Sequence, residues 1–216
     1  MAGDSSLRPR VYDDACGVAR ALNVVGERWA LLVVRELLFG AKRYSSLRRG
    51  LPGISPNVLS QRLTDLEDGG VLSRRRLGPP ANATVYQLTE YGQQLLPVLR
   101  ELGGWGARGP LRSDRQLSVD SLVLALHTSV DPARPPLQGV FALRFGDDTV
   151  SVRADGHTVE ATRSTAEPPT ATITTDTETL RHVVFGVRDA DEAVAAGALV
   201  IDGDAGAGRR FLTMFR

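Results

Sequence analysis

The sequence predicts two domains: a mainly helical one closed by a basic hairpin, then an α+β one. Three observations predict it. Helical apolar spacing runs from residue 13 to about 68 and ends in a strand–turn–strand pattern. Past residues 109–118 (GPLRSDRQLS), strand-like alternation mixes with short helical stretches. The overall charge of +1 also divides unevenly, with about +6 over residues 1–112 and about −5 over 113–216. A basic half joined to an acidic half implies different partners, with a polyanion suited to the first.

The 216 residues and 42% hydrophobic content suffice for two small cores. Cys16 is the single cysteine, which excludes an intramolecular disulfide and a Cys-rich zinc site. No metal or cofactor is expected. No apolar run approaches the roughly 20 residues of a membrane span, and the N-terminus lacks a signal-peptide pattern. The expectation is a cytoplasmic protein with no membrane partner.

Residues 1–12 are expected to be a disordered tail. Val18, Leu22 and Val25 place an amphipathic helix at 13–25. The apolar residues of 28–39 surround most of the helix girth, marking it as the centre of a small helical domain. A short helix at 44–51 and the turn Pro52-Gly53-Ile54 follow. Ser55 and Pro56 then supply the N-cap and first position of a helix to about Asp68, stopped by Gly69-Gly70. Two helices joined by a short Gly-containing turn form a helix-turn-helix, and strands at 71–77 and 84–88 make a hairpin wing. Thr89 caps a helix over 90–108, which Pro97 should kink. The first domain is thus a winged helix-turn-helix over 13–110, followed by a linker at 111–117.

The second domain covers 118–216. It opens with a helix at 118–130, followed by strands at 137–145, 149–154, 158–163 and 170–175. In the first of these, Phe141, Leu143 and Phe145 alternate with Val140, Ala142 and Arg144, which predicts one buried face. Thr175-Asp176-Thr177-Glu178 has the capping-box form and opens a helix to Phe185. A helix from Asp189, a strand at 199–201 and a helix at 204–215 complete the domain.

On the helix after Ser55, Leu59, Leu63 and Leu66 form one stripe, while Asn57, Gln61 and Thr64 lie opposite, flanked by Ser60 and Arg62. A short polar face near a helix N-terminus is where a recognition helix touches base edges. Asn and Gln can pair with adenine through two hydrogen bonds. Arg74, Arg75 and Arg76 lie on the adjoining hairpin, suited to phosphate or minor-groove contact. Lys42, Arg43, Arg48 and Arg49 flank the helix that crosses the backbone in this geometry. The candidate DNA-contacting set is Lys42, Arg43, Tyr44, Ser55, Asn57, Ser60, Gln61, Arg62, Arg74, Arg75 and Arg76, and the expected partner is a double-stranded DNA operator.

Residues 15–108 resemble the HxlR-type winged helix-turn-helix regulators. The matching stretches begin at Cys16 (CGVARAL), Gly26 (GERWALL), Arg43 (RYSSL), Ile54 (ISPNVLSQRL), Leu66 (LEDGGVL), Tyr86 (YQLT) and Leu96 (LPVL). Gly17 departs from the usual proline. The resemblance implies a homodimer held by the first and last helices of the domain, reading a pseudo-palindromic operator. Some relatives sense oxidants through a cysteine near Cys16. Here Asp13 and Asp14 oppose a thiolate and Arg20 favours it.

Residues 118–216 resemble the sterol-carrier-protein-like fold through stretches at Thr175 (TDTETL), Val183 (VVFG), Ala195 (AAGALVIDGD) and Arg210 (RFLTMF). That resemblance implies a cavity for a hydrophobic or lipid-like effector, with Phe141, Phe145, Phe185, Phe211 and Phe215 as candidate lining. The sequence thus points to an effector-controlled regulator, or alternatively to a thiol-based regulator switched through Cys16 with a structural C-terminal domain. An enzyme is not expected, because phosphate-loop, metal-spaced and Gly-x-Ser-x-Gly motifs are missing.

Overall fold

The computed structural model describes residues 11–110, 116–163 and 167–215. Residues 1–10 of the expected tail and 111–115 of the expected linker lie outside them. Tyr12, assigned to the tail, is held instead: its backbone N–H donates to Asn23 Oδ1, and Asn23 Nδ2 donates to its carbonyl.

The first helix, α1 (Gly17–Val25), starts later than expected. Asp14 Oδ1 accepts the Cys16 N–H at 2.8 Å, a local turn that competes with helix before Gly17. α2 (Ala30–Leu37) also starts late, because Trp29 holds a left-handed φ of 79° just before it. β1 (Lys42–Arg43), α3 (Tyr44–Gly50) and α4 (Pro56–Asp68) follow. β2 (Leu72–Arg76) and β3 (Thr84–Leu88) form the wing, with Arg75 opposite Val85 and Arg76 opposite Thr84. β1 adds a third strand on the other side of β3, pairing Lys42 with Tyr86.

The long helix expected over 90–108 is two, α5 (Glu90–Gln93) and α6 (Leu95–Ala107). Pro97 has no N–H for the Gln93 carbonyl, and the break falls at Gln94 between them.

The second domain opens with α7 (Val119–Ser129), capped by Ser118. Its sheet contains β4 (Leu137–Phe145), β5 (Asp148–Gly156), β6 (Thr158–Thr162), β7 (Ala171–Thr175) and β8 (Leu199–Gly203), in the order β6-β5-β4-β7-β8. β4 and β7 are parallel and the other pairings antiparallel. β4 does not bury one face only. Val140, Phe141, Ala142 and Leu143 are all buried, because β4 is the central strand and Val140 lies opposite Arg153, whose guanidinium pairs with Glu167. α8 (Thr177–Val184), α9 (Ala190–Ala195) and α10 (Ala205–Leu212) complete the domain. Asp176, Asp189 and Asp204 cap them, each accepting backbone N–H groups of the first turn.

The two domains share one continuous core. α7 packs against α2 and α6 on one side and β6 on the other. Phe39, just past α2, stacks on His127 of α7 with centroids 5.4 Å apart, and the Arg163 N–H donates to the Phe39 carbonyl at 2.9 Å. Among the described residues no helix is long and apolar enough to cross a membrane.

Candidate nucleic-acid interface and the interdomain cleft

α4 is built as its sequence requires. Ser55 Oγ accepts the Val58 N–H, and Leu59, Leu63 and Leu66 are buried. Asn57, Ser60, Gln61 and Thr64 are exposed. Tyr44 Oη donates to the Pro56 carbonyl at 2.9 Å, fastening α3 to the start of α4. Tyr44 and Ser55 therefore set the angle of α4. Gln61 Nε2 donates to Asp65 Oδ1 at 2.7 Å, a bond it must exchange to reach a base.

The arginines divide into held and free. Arg62 does not sit on the open face: its guanidinium lies 2.8 Å from Asp65 and 3.4 Å from Glu27, tying α4 to the loop before α2. Arg74 is 2.6 Å from Glu67, which pushes its guanidinium pKa up through that hydrogen bond. Arg75 and Arg76 are exposed and have no carboxylate partner among the described residues. Arg43 donates to the Ala81 carbonyl at the wing tip.

Lys42 has to be removed from the DNA-contacting set. Its ammonium is buried, 2.7 Å from Glu36 Oε2 and in contact with Asp120 Oδ2. A buried ammonium between two carboxylates cannot leave for a phosphate without stranding both. Glu36 is fully buried and also accepts from Arg35 and, at 2.6 Å, from Ser118 Oγ. Its Oε2 lies 2.0 Å from where a Cβ on Gly50 would stand, so glycine is required there. Asp120, 1% exposed, also accepts from Arg163 at 2.8 Å, and Arg163 reaches on to Asp148. Burial pushes the Asp120 carboxyl up, while Lys42 and Arg163 pull it down. Helical spacing alone did not reveal this cluster. The signal was Glu36 itself, a carboxylate among the apolar residues of the 28–39 helix.

Above the cluster lies a cleft of about 740 Å³ between the domains. Arg43, Ser46, Arg49, Leu77 and Val85 line one side; Gln116, Leu117, Phe145, Asp147 and Asp148 line the other. Of the aromatic set expected to line an effector cavity, Phe145 alone borders this cleft. Phe141 and Phe211 stack at 4.5 Å, Phe215 meets Phe211 edge-on, and all three are buried core. Phe185 is partly buried against the same core.

Cys16 is exposed at the start of α1. The backbone N–H groups of Val18 and Ala19 lower its thiol pKa, although neither completes a hydrogen bond to sulfur.

A helix-turn-helix with a basic three-stranded wing and an open polar recognition face defines a DNA-binding transcriptional regulator. Residues 24–112 match the model of the HxlR-like helix-turn-helix family, and residues 122–216 match that of the SCP-2 sterol transfer family. The chain is 37% identical over 86 residues to the uncharacterized HTH-type transcriptional regulator YvaP of Bacillus subtilis, covering 40% of this chain and 80% of that protein. It is 38% identical over 92 residues to YkvN of the same organism, covering 43% and 78%. The solved reduced form of the regulator YodB from B. subtilis is 29% identical, with a TM-score of 0.40 over 47% of this chain and all of that one. The chain belongs to the HxlR-like helix-turn-helix family and carries an SCP-2 domain after its DNA-binding domain.

Proposed function

We propose that the chain binds a pseudo-palindromic operator as a homodimer, with DNA affinity set by a small-molecule effector held by its C-terminal half. The observation that carries the DNA reading is the exposed face of Asn57, Ser60 and Gln61 beside Arg75 and Arg76, which have no carboxylate partner among the described residues. The α4 residues discriminate bases, and the wing arginines hold phosphate or enter the minor groove. The dimer reading rests on exposed apolar side chains: Val18 and Leu22 on α1, with Val98, Leu102 and Trp105 on α6. The membership of residues 122–216 in the SCP-2 family supports ligand binding. A hydrophobic effector in the domain interior would have to part the Phe141–Phe211 stack. No catalytic step belongs to this reading.

Selection from a randomised duplex pool tests it. The expected product is an inverted repeat with half-site centres about one helical turn apart. Enrichment of a single half-site would exclude the dimeric reading, and no enrichment would exclude sequence-specific binding.

One observation favours a second mode of control. The N-terminus of α1 lowers the pKa of the exposed Cys16 thiol, which raises its thiolate fraction. Diamide would oxidise the Cys16 thiols of two chains to an intermolecular disulfide while its own N=N bond is reduced. It should then weaken operator binding in the unmodified chain, reversibly with added thiol, and not in Cys16→Ser.

A further inference from the structure

We propose that the interdomain cleft binds a small zwitterion, an amino-acid-like molecule whose anionic group meets Arg43 and Arg49 and whose cationic group meets Asp147. The inference rests on the reading of the chain as an effector-controlled regulator, and places the effector between the two domains rather than inside the C-terminal half.

The volume of about 740 Å³ lies within the range of small-molecule sites, roughly 300–1,000 Å³, and interdomain boundaries are a favoured place for them. The charges decide the chemistry. Those of the floor are already satisfied, because Lys42 lies between Glu36 and Asp120, and Arg163 between Asp120 and Asp148. Unspent charge remains on the walls, with opposite sign on each. Arg49 and Asp147 have no ion-pair partner among the described residues, and Arg43 bonds only the Ala81 carbonyl there. A simple anion drawn to Arg43 and Arg49 would be repelled by Asp147, and a simple cation by the arginines. A molecule carrying both charges satisfies both walls, and Leu77, Val85 and Phe145 offer apolar surface to its body.

A second observation points the same way. Asp120 lines the cleft, yet its Oδ1 is buried without a hydrogen-bond partner among the described residues. Orphaned buried acceptors are costly, and this one belongs to a residue that borders the cleft. Occupation has a direction as well. Arg43 and Arg49 are also the cations beside the helix that crosses the DNA backbone. A ligand that engages them removes them from phosphate, so ligand and DNA weaken each other reciprocally.

The test uses the full chain and titrates each standard amino acid by calorimetry, with oleate as an apolar comparison. At least one amino acid should bind saturably. Arg49→Gln and Asp147→Asn, both at exposed positions, should each weaken that binding about tenfold or more. The same amino acid should lower the affinity of the unmodified chain for a mixed-sequence duplex. Failure of every amino acid to bind saturably, or binding indifferent to both substitutions, would overturn the proposal. Oleate binding that ignores both substitutions would overturn the cleft site while leaving effector control standing.

Discussion

Side chains on the DNA-facing surface separate by what already holds them. Gln61 is exposed and bonded only within its own helix, so Gln61→Ala should cost about 1–3 kcal/mol on the selected operator and little on random DNA. Arg75→Ala should weaken binding to every sequence and reduce the salt slope by about one unit. Equal losses on both DNAs for Gln61→Ala, measured by fluorescence anisotropy, would contradict the division of labour. A second residue sets a pH dependence. Burial, with the nearby Arg100 charge, pushes the His127 imidazole down to about 4 from 6.5, and neither ring nitrogen has a hydrogen-bond partner among the described residues. The folded state favours neutral His127, so its contribution is complete above pH 6.5 and is lost as pH falls through about 4. The melting temperature should therefore fall across that window more steeply than in His127→Phe, and superimposable profiles would argue against this role. The exposed polar face of α4 was legible in the sequence because one helix's 100° steps separate an apolar stripe from a polar one. Lys42 was not, because the carboxylate that buries it, Asp120, lies 78 residues away.

Among the elements, α6 carries two different kinds of apolar residue. Leu99 is 6% exposed and belongs to the shared core, whereas Val98, Leu102 and Trp105 point outward, Trp105 at 72%. A charge at Leu99 would be buried and should unfold the protein. Leu102→Asp should leave the fold intact and give monomers by light scattering, whereas a persistent dimer would move the interface off α6. Over 90–108, Tyr91, Leu95, Val98, Leu99, Leu102 and Trp105 recur at three-four spacing and form one apolar stripe. The spacing could not say which edge packs on α7 and which stays exposed, because that depends on the approach of the other domain. Pro97 was expected to kink the helix; the disruption is a break at Gln94, three residues earlier, where the proline leaves the Gln93 carbonyl without its donor. β1 was missed because a two-residue strand has no periodicity and exists through its pairing with β3. The late starts of α1 and α2 were missed for a similar reason: Asp14 and Trp29 act through backbone geometry that hydrophobic spacing does not record.

At the scale of the whole molecule, the two domains are not beads on a linker. Charge asymmetry and the change of pattern near residue 118 correctly indicated two domains, yet their cores merge across α7, and the polar part of the seam is closed by Glu36, Lys42, Asp120 and Arg163. A buried ion-pair cluster is weak evidence for net stability, since dehydrating its members offsets most of their attraction. Removing one member is different, because the others keep their charge without their partner. Asp120→Ala should therefore cost about 3–5 kcal/mol, leaving Lys42 and Arg163 underpaired at the seam. Replacing the exposed Arg209–Asp191 pair should cost about 0–1 kcal/mol. The shared core further requires that the domains unfold together. Scanning calorimetry of the unmodified chain should give one transition whose calorimetric and van't Hoff enthalpies agree. In Asp120→Ala that transition should move down and broaden, or divide in two as the seam loosens ahead of the domains. Two separate transitions in the unmodified chain would mean that the domains fold independently, and Asp120→Ala should then leave the melting of the N-terminal domain unchanged.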